Sequence, residues 1–391
     1  MGLPLLTVVA MARVGGGLEA ITSPIGKKAG MLLGLATYLC IGPMFATPRT
    51  ATVSFEIGVA PFIGHSALGL LLFTAVYFGL VLLLSLYPSK LMDTVGKLLT
   101  PILIAALLLI GGAAFVLPAG ALSASAGNYQ SVPLAEGFVQ GYQTMDALAA
   151  LVFGLIIVNA IKDNGVTDQR LHTRYTIMAG LIAALGLGLV YISLTYLGGH
   201  SMDIAGEVHT GAQVLTAFVQ HTFGGAGTWL LAFVILLACL TTGVGLVCAC
   251  GAYFSQLLSV SYRTMVVLLC AVSLIVANQG LAQLIAVAVP VLYTIYPVAI
   301  ALVVLSLLSG CWRHQGLVFV PVICVALAFG LLDGLKAAGF AQWTPDGLER
   351  LPGAAMGMGW LTPVLAAMVA MALVDRAHAR RRIRPPQKRW G

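Results

Sequence analysis

The fold is decided by one polar run, Gly42-Pro43-Met44-Phe45-Ala46-Thr47-Pro48-Arg49-Thr50-Ala51-Thr52-Val53-Ser54-Phe55-Glu56. It places an arginine, a glutamate, two prolines and four hydroxyl side chains in a chain that is 60% hydrophobic and only 8% charged. A charge at membrane depth is costly, so it is normally paired or lines a polar path. Irregular backbone at that depth must be surrounded by protein or face a cavity, and the two prolines predict such backbone. The run therefore indicates a membrane transport protein.

Apolar segments long enough to cross a bilayer recur along the whole chain. The chain has 391 residues and a mean hydropathy of +1.00, far above the range of soluble globular proteins. Because a span needs about 17 to 25 residues, we predict an all-α polytopic membrane protein with about ten full spans and an incomplete first one at Gly2–Ala12. The ten predicted spans are 30–48, 67–86, 98–117, 137–160, 175–197, 228–250, 263–280, 282–308, 317–332 and 356–374.

Lysine and arginine gather in alternate loops. One set of loops carries most of these residues, and the other set has only Lys336 and Arg350. This is the positive-inside pattern, and it predicts a cytoplasmic C-terminus. We therefore predict a transmembrane transporter domain over 1–374 and a basic cytoplasmic tail over 375–391. The net charge of +7 is explained by this topology, and we expect no nucleic-acid partner.

A second polar run interrupts a later span. The run Glu136-Gly137-Phe138-Val139-Gln140-Gly141-Tyr142-Gln143-Thr144-Met145-Asp146 joins glycines, hydroxyls and an acid, and the apolar segment 147–160 follows. We predict a broken helix, because transporters expose free amides and carbonyls in this way at mid-membrane. Amides at a helix N-terminus attract a carboxylate, and carbonyls at a C-terminus attract a cation. An amino acid together with a sodium ion or a proton would satisfy both.

Three charged residues are candidates for an intramembrane ion pair: Arg49, Glu56 and Asp146. Arg49 and Glu56 lie about two turns apart on a straight helix, too far for an easy contact. We therefore expect Arg49 to find a partner on another helix, and Asp146 is the acid predicted at a comparable depth. Asp146 could instead bind a proton or cation, or contact a substrate ammonium. A pair that only holds helices together is the structural alternative.

A third polar group consists of Ala238, Thr241 and Thr242. One carbonyl and two hydroxyl oxygens within a helical turn suit a hard cation. Threonine and glycine at helix-packing surfaces show the same pattern, so the spacing alone leaves both interpretations open.

Other chemistries find little support in the sequence. Cys248 and Cys250 form a C-x-C without a second pair, and the three histidines between residues 199 and 227 are too widely spaced for a typical zinc site. The sequence has no G-x-S-x-G and no H-E-x-x-H, so we predict that the protein is not an enzyme. A channel or an amino acid sensor remains an alternative to a transporter.

The polar run also carries a family resemblance. Its T-P-R-T-A-T-V-S-F-E core, the segment Leu3–Ala10 with the following glycines, and the run Gly137–Asp146 resemble the bacterial branched-chain amino acid carriers, which are cation symporters for leucine, isoleucine and valine. The resemblance implies the leucine-transporter-like (LeuT-like, APC superfamily) inverted-repeat fold in the bacterial inner membrane. It also implies alternating access with Na⁺ or H⁺ as the coupling ion and no further cofactor.

The resemblance assigns residues to a substrate site and a cation site. The broken helix would be the sixth of the family, and 228–250 would be the eighth, where Ala238, Thr241 and Thr242 match a sodium-binding pattern. The third helix would line the substrate cavity. The implied substrate-binding residues are Gly141, Tyr142, Thr144, Asp146, Phe45, Thr47 and Thr50.

The chain departs from the family pattern at its beginning. Family members carry an additional first helix, whereas Met1-Gly2-Leu3-Pro4 resembles the inside of the second helix. We therefore expect a fold without the first helix, which in this family supplies part of the substrate and sodium sites. A misplaced start or a truncated, transport-inactive remnant would each account for it. The sequence leaves open the coupling ion, the preferred substrate and the oligomeric state.

Overall fold

The computed structural model describes residues 2–86, 88–125, 127–142, 144–163, 165–166, 168–206, 210–345, 347, 351–354 and 357–383. Within them the chain is α-helical and forms no β-strand. The α-helices in chain order are α1 (Gly2–Val14), α2 (Leu18–Thr22), α3 (Lys27–Leu39), α4 (Ala46–Gly58), α5 (Ala60–Ile63), α6 (Ala67–Leu86), α7 (Pro88–Val116), α8 (Pro133–Tyr142), α9 (Asp146–Asp163), α10 (Gln169–Gly199), α11 (Met202–Ala205), α12 (Gly211–Leu258), α13 (Tyr262–Ala277), α14 (Leu281–Leu307), α15 (Gln315–Ala337) and α16 (Leu361–Ile383).

Eight stretches of these described residues are long and apolar enough to cross a membrane, and the bent pair Gly2–Val14 and Leu18–Ile25 would make a ninth. The predicted all-α polytopic membrane protein is confirmed, and these eight stretches compare with about ten full spans predicted from the whole sequence. The predicted span 98–117 lies in α7 (Pro88–Val116), and the predicted span 263–280 contains the shorter apolar helix Tyr262–Ala277. At 1.5 Å per residue Tyr262–Ala277 extends about 24 Å, less than the hydrocarbon core of about 30 Å.

The polar run begins with an irregular turn. Between α3 and α4 the residues Cys40–Met44 form a π-helical turn, and Gly42 has non-helical φ and ψ of −83° and −120°. Cys40, Ile41, Gly42 and Pro43 are buried. The prediction of irregular backbone surrounded by protein is therefore confirmed for Pro43, whereas it is wrong for Pro48, which lies in the first turn of the regular helix α4.

The chain divides into two compact units. The first comprises residues 1–37, 128–182 and 289–391, and the second comprises residues 38–127 and 183–288. In the first unit α1 packs along α9, where Gly154 leaves room for the Met11 side chain. Further along the chain α15 packs on α16.

A buried carboxylate anchors α16 in the first unit. Asp375, only 2% exposed, accepts hydrogen bonds from the backbone N–H groups of Arg313 at 2.9 Å and His314 at 3.0 Å. The Nδ1 atom of His314 lies 3.1 Å from the same carboxylate. Asp375 thereby satisfies two backbone donors in the turn that precedes α15.

The second unit is built around α4 and α12. Close packing on α12 depends on two glycines. A Cβ on Gly58 of α4 would lie 3.1 Å from Leu236, and one on Gly42, in the turn before α4, would lie 2.7 Å from the Cys250 sulfur. α12 itself breaks at Gly224, whose φ of 63° favours glycine. Apolar side chains of α6 and α13 complete one buried cluster of this unit, among them Phe78, Val81, Val266 and Cys270.

Candidate functional site

The predicted broken helix is present in the first unit. α8 ends at Tyr142, and α9 begins at Asp146. Met145, directly before α9, has a φ of 67°, a left-handed conformation that costs a non-glycine residue free energy. The first amides of α9 and the last carbonyls of α8 have no partner within their own helices. The break therefore presents both kinds of backbone polar group.

Three oxygen atoms converge at this break. The Thr144 hydroxyl lies 2.8 Å from the Gly141 carbonyl oxygen and 3.0 Å from Oδ2 of Asp146. The hydroxyl has one proton, while the carbonyl and an ionised carboxylate can only accept. The hydroxyl proton can therefore serve only one of these two acceptors at a time.

The position of Asp146 also affects where a substrate carboxylate could bind. Asp146 occupies the first turn of α9, the end at which a helix favours negative charge. That end thus already holds a carboxylate. The break brings together Gly141, Thr144 and Asp146 from the predicted substrate-binding set, whereas the side chain of Tyr142 lies outside the described residues.

The predicted substrate residues of the polar run lie on or directly before α4. Phe45 and Thr47 are buried, with exposed fractions of 6% and 1%. The Thr47 hydroxyl lies 3.5 Å from the Ile41 carbonyl in the π-helical turn. The Thr50 hydroxyl donates to the Thr47 carbonyl at 2.6 Å. Both hydroxyls thus contact the backbone of their own segment.

The two charged residues of α4 differ in their surroundings. Oε2 of Glu56 lies 3.4 Å from Nδ1 of His65, in the segment between α5 and α6. Arg49 makes no ion pair with a described residue of its own unit. The contact with His65 was not predicted, because a histidine nine positions beyond the glutamate and after a short helix follows no helical spacing.

The predicted cation-binding residues lie in one turn of α12. The hydroxyls of Thr241 and Thr242 both donate to the Ala238 carbonyl, at 2.9 and 2.8 Å. Three oxygen atoms thus gather at one point in the second unit. Threonine commonly bonds back to a helical carbonyl in this way, so the contact itself does not identify a ligand.

Tyr77 of α6 contacts both α4 and α12, although the sequence did not predict a role for it. Its side chain is 4% exposed, and its hydroxyl lies 2.9 Å from Oγ1 of Thr50 and 2.6 Å from the Cys239 carbonyl. A tyrosine within an apolar span was the available signal, because a buried phenol usually finds a hydrogen-bond partner. Its partners lie on distant segments, which spacing alone cannot identify.

Comparison with known proteins decides the family. The profile of the branched-chain amino acid transport protein family matches residues 1–378. The chain belongs to this family. The resemblance carried by the polar run is therefore confirmed.

Individual members of the branched-chain amino acid transport protein family are similar over almost the whole chain. The branched-chain amino acid transport system 2 carrier protein of Pseudomonas aeruginosa is 57% identical over 376 residues, covering 96% of this chain and 86% of the relative. The branched-chain amino acid permease BrnQ of Escherichia coli is 51% identical over 380 residues, covering 97% and 87%. The permease BraB of Bacillus subtilis is 42% identical over 379 residues, covering 95% and 85%.

Membership in this transport family agrees with the helices of the structure. The chain is a multi-pass membrane protein of a family of transport proteins, and it is not an enzyme. The prediction made from the missing hydrolase and metalloprotease motifs is confirmed by this membership.

Proposed function

We propose that this protein is a secondary transporter that carries leucine, isoleucine or valine into the cell together with Na⁺ or H⁺ by alternating access. The observation that carries the proposal is the break between α8 and α9, where Gly141, Thr144 and Asp146 converge. The relatives are named as carriers and permeases of branched-chain amino acids, which supports the substrate class.

The carboxylate of Asp146 lies beside the Thr144 hydroxyl and near the Gly141 carbonyl, and such oxygen atoms favour a positively charged partner. The substrate ammonium or the coupling cation would bind the Asp146 carboxylate and the oxygen atoms beside it. Gly141 and Tyr142 would contribute backbone groups to the same substrate. Phe45, Thr47 and Thr50 on the α4 segment are further proposed substrate contacts, and separate variants test them. Arg49 and Glu56 remain candidates for charge pairing during transport.

The turn Ala238–Thr242 is proposed as the site of the coupling cation. A carbonyl and two hydroxyl oxygens are ligands that a hard cation prefers, and each threonine oxygen keeps a lone pair while donating to Ala238. Na⁺ or H⁺ is the only cofactor that the mechanism requires.

The topology belongs to the same proposal. We place the protein in the bacterial inner membrane with a LeuT-like inverted-repeat fold, a transmembrane domain over 1–374 and a basic cytoplasmic tail over 375–391. The alternation of lysine and arginine between loops supports this orientation. A bundle of this kind has an amino acid and the bilayer as partners, and no nucleic acid.

Gradient-driven uptake tests the proposed function. The full chain is reconstituted in liposomes, and entry of radiolabelled leucine is followed with an inward Na⁺ gradient, an inward H⁺ gradient, or neither. Accumulation above the external concentration is expected with one of the gradients, with inhibition by isoleucine and valine but not by lysine. Equilibration without accumulation under every gradient would indicate a channel or uniporter. Binding of leucine without any entry would indicate a sensor.

A further inference from the structure

α6 is hydrogen-bonded to α13 at two points, which lie near the two ends of α13. Near one end, Nδ2 of Asn278, directly after α13, donates to Oγ1 of Thr74 at 3.0 Å. At the other, the Tyr262 hydroxyl donates to the Ser85 carbonyl at 3.0 Å. Tyr77 lies between these two contacts on α6. Its hydroxyl therefore projects from a helix that is held at two points.

Tyr77 joins this helix to both α4 and α12. Its hydroxyl contacts Thr50 of α4 at 2.9 Å and the Cys239 carbonyl of α12 at 2.6 Å. Gly243 keeps the space open, because a Cβ there would lie 2.9 Å from the Tyr77 hydroxyl and 3.2 Å from the Thr50 hydroxyl. Cys239 directly follows Ala238, so Tyr77 contacts the same turn that carries the proposed cation ligands.

The hydroxyls of Tyr77 and Thr50 have two protons for three contacts. Thr50 lies 2.6 Å from the Thr47 carbonyl, Tyr77 lies 2.6 Å from the Cys239 carbonyl, and the two hydroxyls lie 2.9 Å apart. Carbonyls supply no proton, so one contact lacks a proton in every arrangement. Tyr77 can donate to Cys239 or to Thr50, and Thr50 can donate to Thr47 or to Tyr77, so three hydrogen-bonding states share nearly the same positions of the atoms.

We propose that Tyr77 is a positioning residue that couples the Ala238–Thr242 turn of α12 to Thr50 of α4. The inference rests on the proposed function, since it concerns how the cation site and a substrate-lining helix communicate. Binding of a cation at Ala238, Thr241 and Thr242 shifts the adjacent Cys239 carbonyl. Tyr77 follows that carbonyl, and Thr50 changes its acceptor. The hydrogen-bonding state of α4 then depends on whether the cation is bound, which is a coupling between two distinct sites.

The test compares two tyrosine variants of the full-length protein in liposomes. Tyr77→Phe removes the proposed link, and Tyr262→Phe removes a similar tyrosine–carbonyl bond on the same helix pair. Initial leucine uptake is measured against the concentration of the coupling cation, Na⁺ or H⁺, and against leucine. We expect Tyr77→Phe to raise the half-saturating cation concentration roughly three- to tenfold, as expected for one lost buried hydrogen bond. In Tyr77→Phe the KM for leucine at saturating cation should change by less than about twofold. In Tyr262→Phe both the half-saturating cation concentration and the KM for leucine should change by less than about twofold.

The alternative outcomes separate the coupling role from simple loss of stability. Equal effects of Tyr77→Phe and Tyr262→Phe, or a parallel rise of both constants in Tyr77→Phe, overturn the inference. If Tyr77→Phe fails to fold, Thr50→Val decides: loss of the link raises the half-saturating cation concentration at saturating leucine, whereas loss of the proposed substrate contact alone raises only the KM for leucine. Wild-type uptake that is the same with and without the Na⁺ and H⁺ gradients overturns the proposed function and the inference with it. Gradient-dependent wild-type uptake with indistinguishable tyrosine variants overturns the inference alone.

Discussion

Asp146 carries the charge on which the proposed substrate site depends. It lies in the first turn of α9 and shares the Thr144 hydroxyl with the Gly141 carbonyl. An isosteric amide keeps the shape and removes the charge. The consequences for transport therefore report on charge recognition rather than on packing.

We expect Asp146→Asn to lower the rate of leucine uptake about ten- to hundredfold, because a hydrogen bond to a charged group contributes about 1.5 to 3 kcal/mol. Asp203→Asn, on the exposed side of α11, is the matched control and should transport at the wild-type rate. Uptake is measured in liposomes at equal protein density. A wild-type rate in Asp146→Asn would remove Asp146 from the site.

Thr241 provides a second test at the residue scale. Thr241→Ala should raise the half-saturating concentration of the coupling cation by about tenfold, since it deletes one of three proposed oxygen ligands. Thr216→Ala is the control, because Thr216 lies on the same helix and donates to the Ala212 carbonyl at 3.0 Å. Cation dependence that is the same in both variants would show that Thr241 only bonds back to its helix.

Among the elements, the pair α4 and α12 holds the second unit together through positions without a Cβ. Gly243→Ala places a methyl group 2.9 Å from the Tyr77 hydroxyl and 3.2 Å from Thr50. Overpacking of this kind costs about 1 to 3 kcal/mol. We expect Gly243→Ala to have a lower melting temperature in detergent, measured by the fluorescence of a dye that does not react with thiols.

The control for Gly243 is a helical glycine in open space. A Cβ on Gly79 of α6 would meet nothing within 4 Å. Gly79→Ala should therefore keep or slightly raise the melting temperature, because alanine favours the helix by about 1 kcal/mol. A loss of stability in Gly79→Ala equal to that of Gly243→Ala would contradict the packing argument.

Elements could be predicted from the sequence where the signal is local. The break between α8 and α9 follows from glycines and an acid within an apolar span, and the π-helical turn follows from Pro43. Contacts between distant segments were not predictable: Tyr77 with Thr50 and Cys239, or Glu56 with His65, depend on how helices pack. A single sequence shows which side chains can form hydrogen bonds or ion pairs, but it does not show which of them lie close together in the fold.

For the whole molecule, the alternation of lysine and arginine between loops predicts the orientation of the spans. The charge alternation needs the regions 98–117 and 263–280 to cross the membrane, although the apolar helix Tyr262–Ala277 is short. We expect both to cross, with the bilayer thinned or flanking residues extended toward the interface around Tyr262–Ala277, at a modest cost.

Membrane-impermeant thiol labelling of a cysteine-free background tests this orientation. A cysteine at Ala121, which follows α7, should react from outside the cell, and a cysteine at Gly391 should react only after the cells are opened. Cysteine at His65 serves as an outside control for the loop before α6. Labelling of Ala121 only in opened cells would show that α7 does not cross.

The bond between Asp375 and the turn before α15 defines how far the chain can be shortened from its C-terminus. A stop codon after residue 383 keeps all of α16 and its carboxylate, so the remaining protein should fold and sediment as the full chain does. A stop codon before Asp375 leaves the amides of Arg313 and His314 without their acceptor. Shortened genes for crystallisation or fusion to reporter domains should therefore end beyond this aspartate.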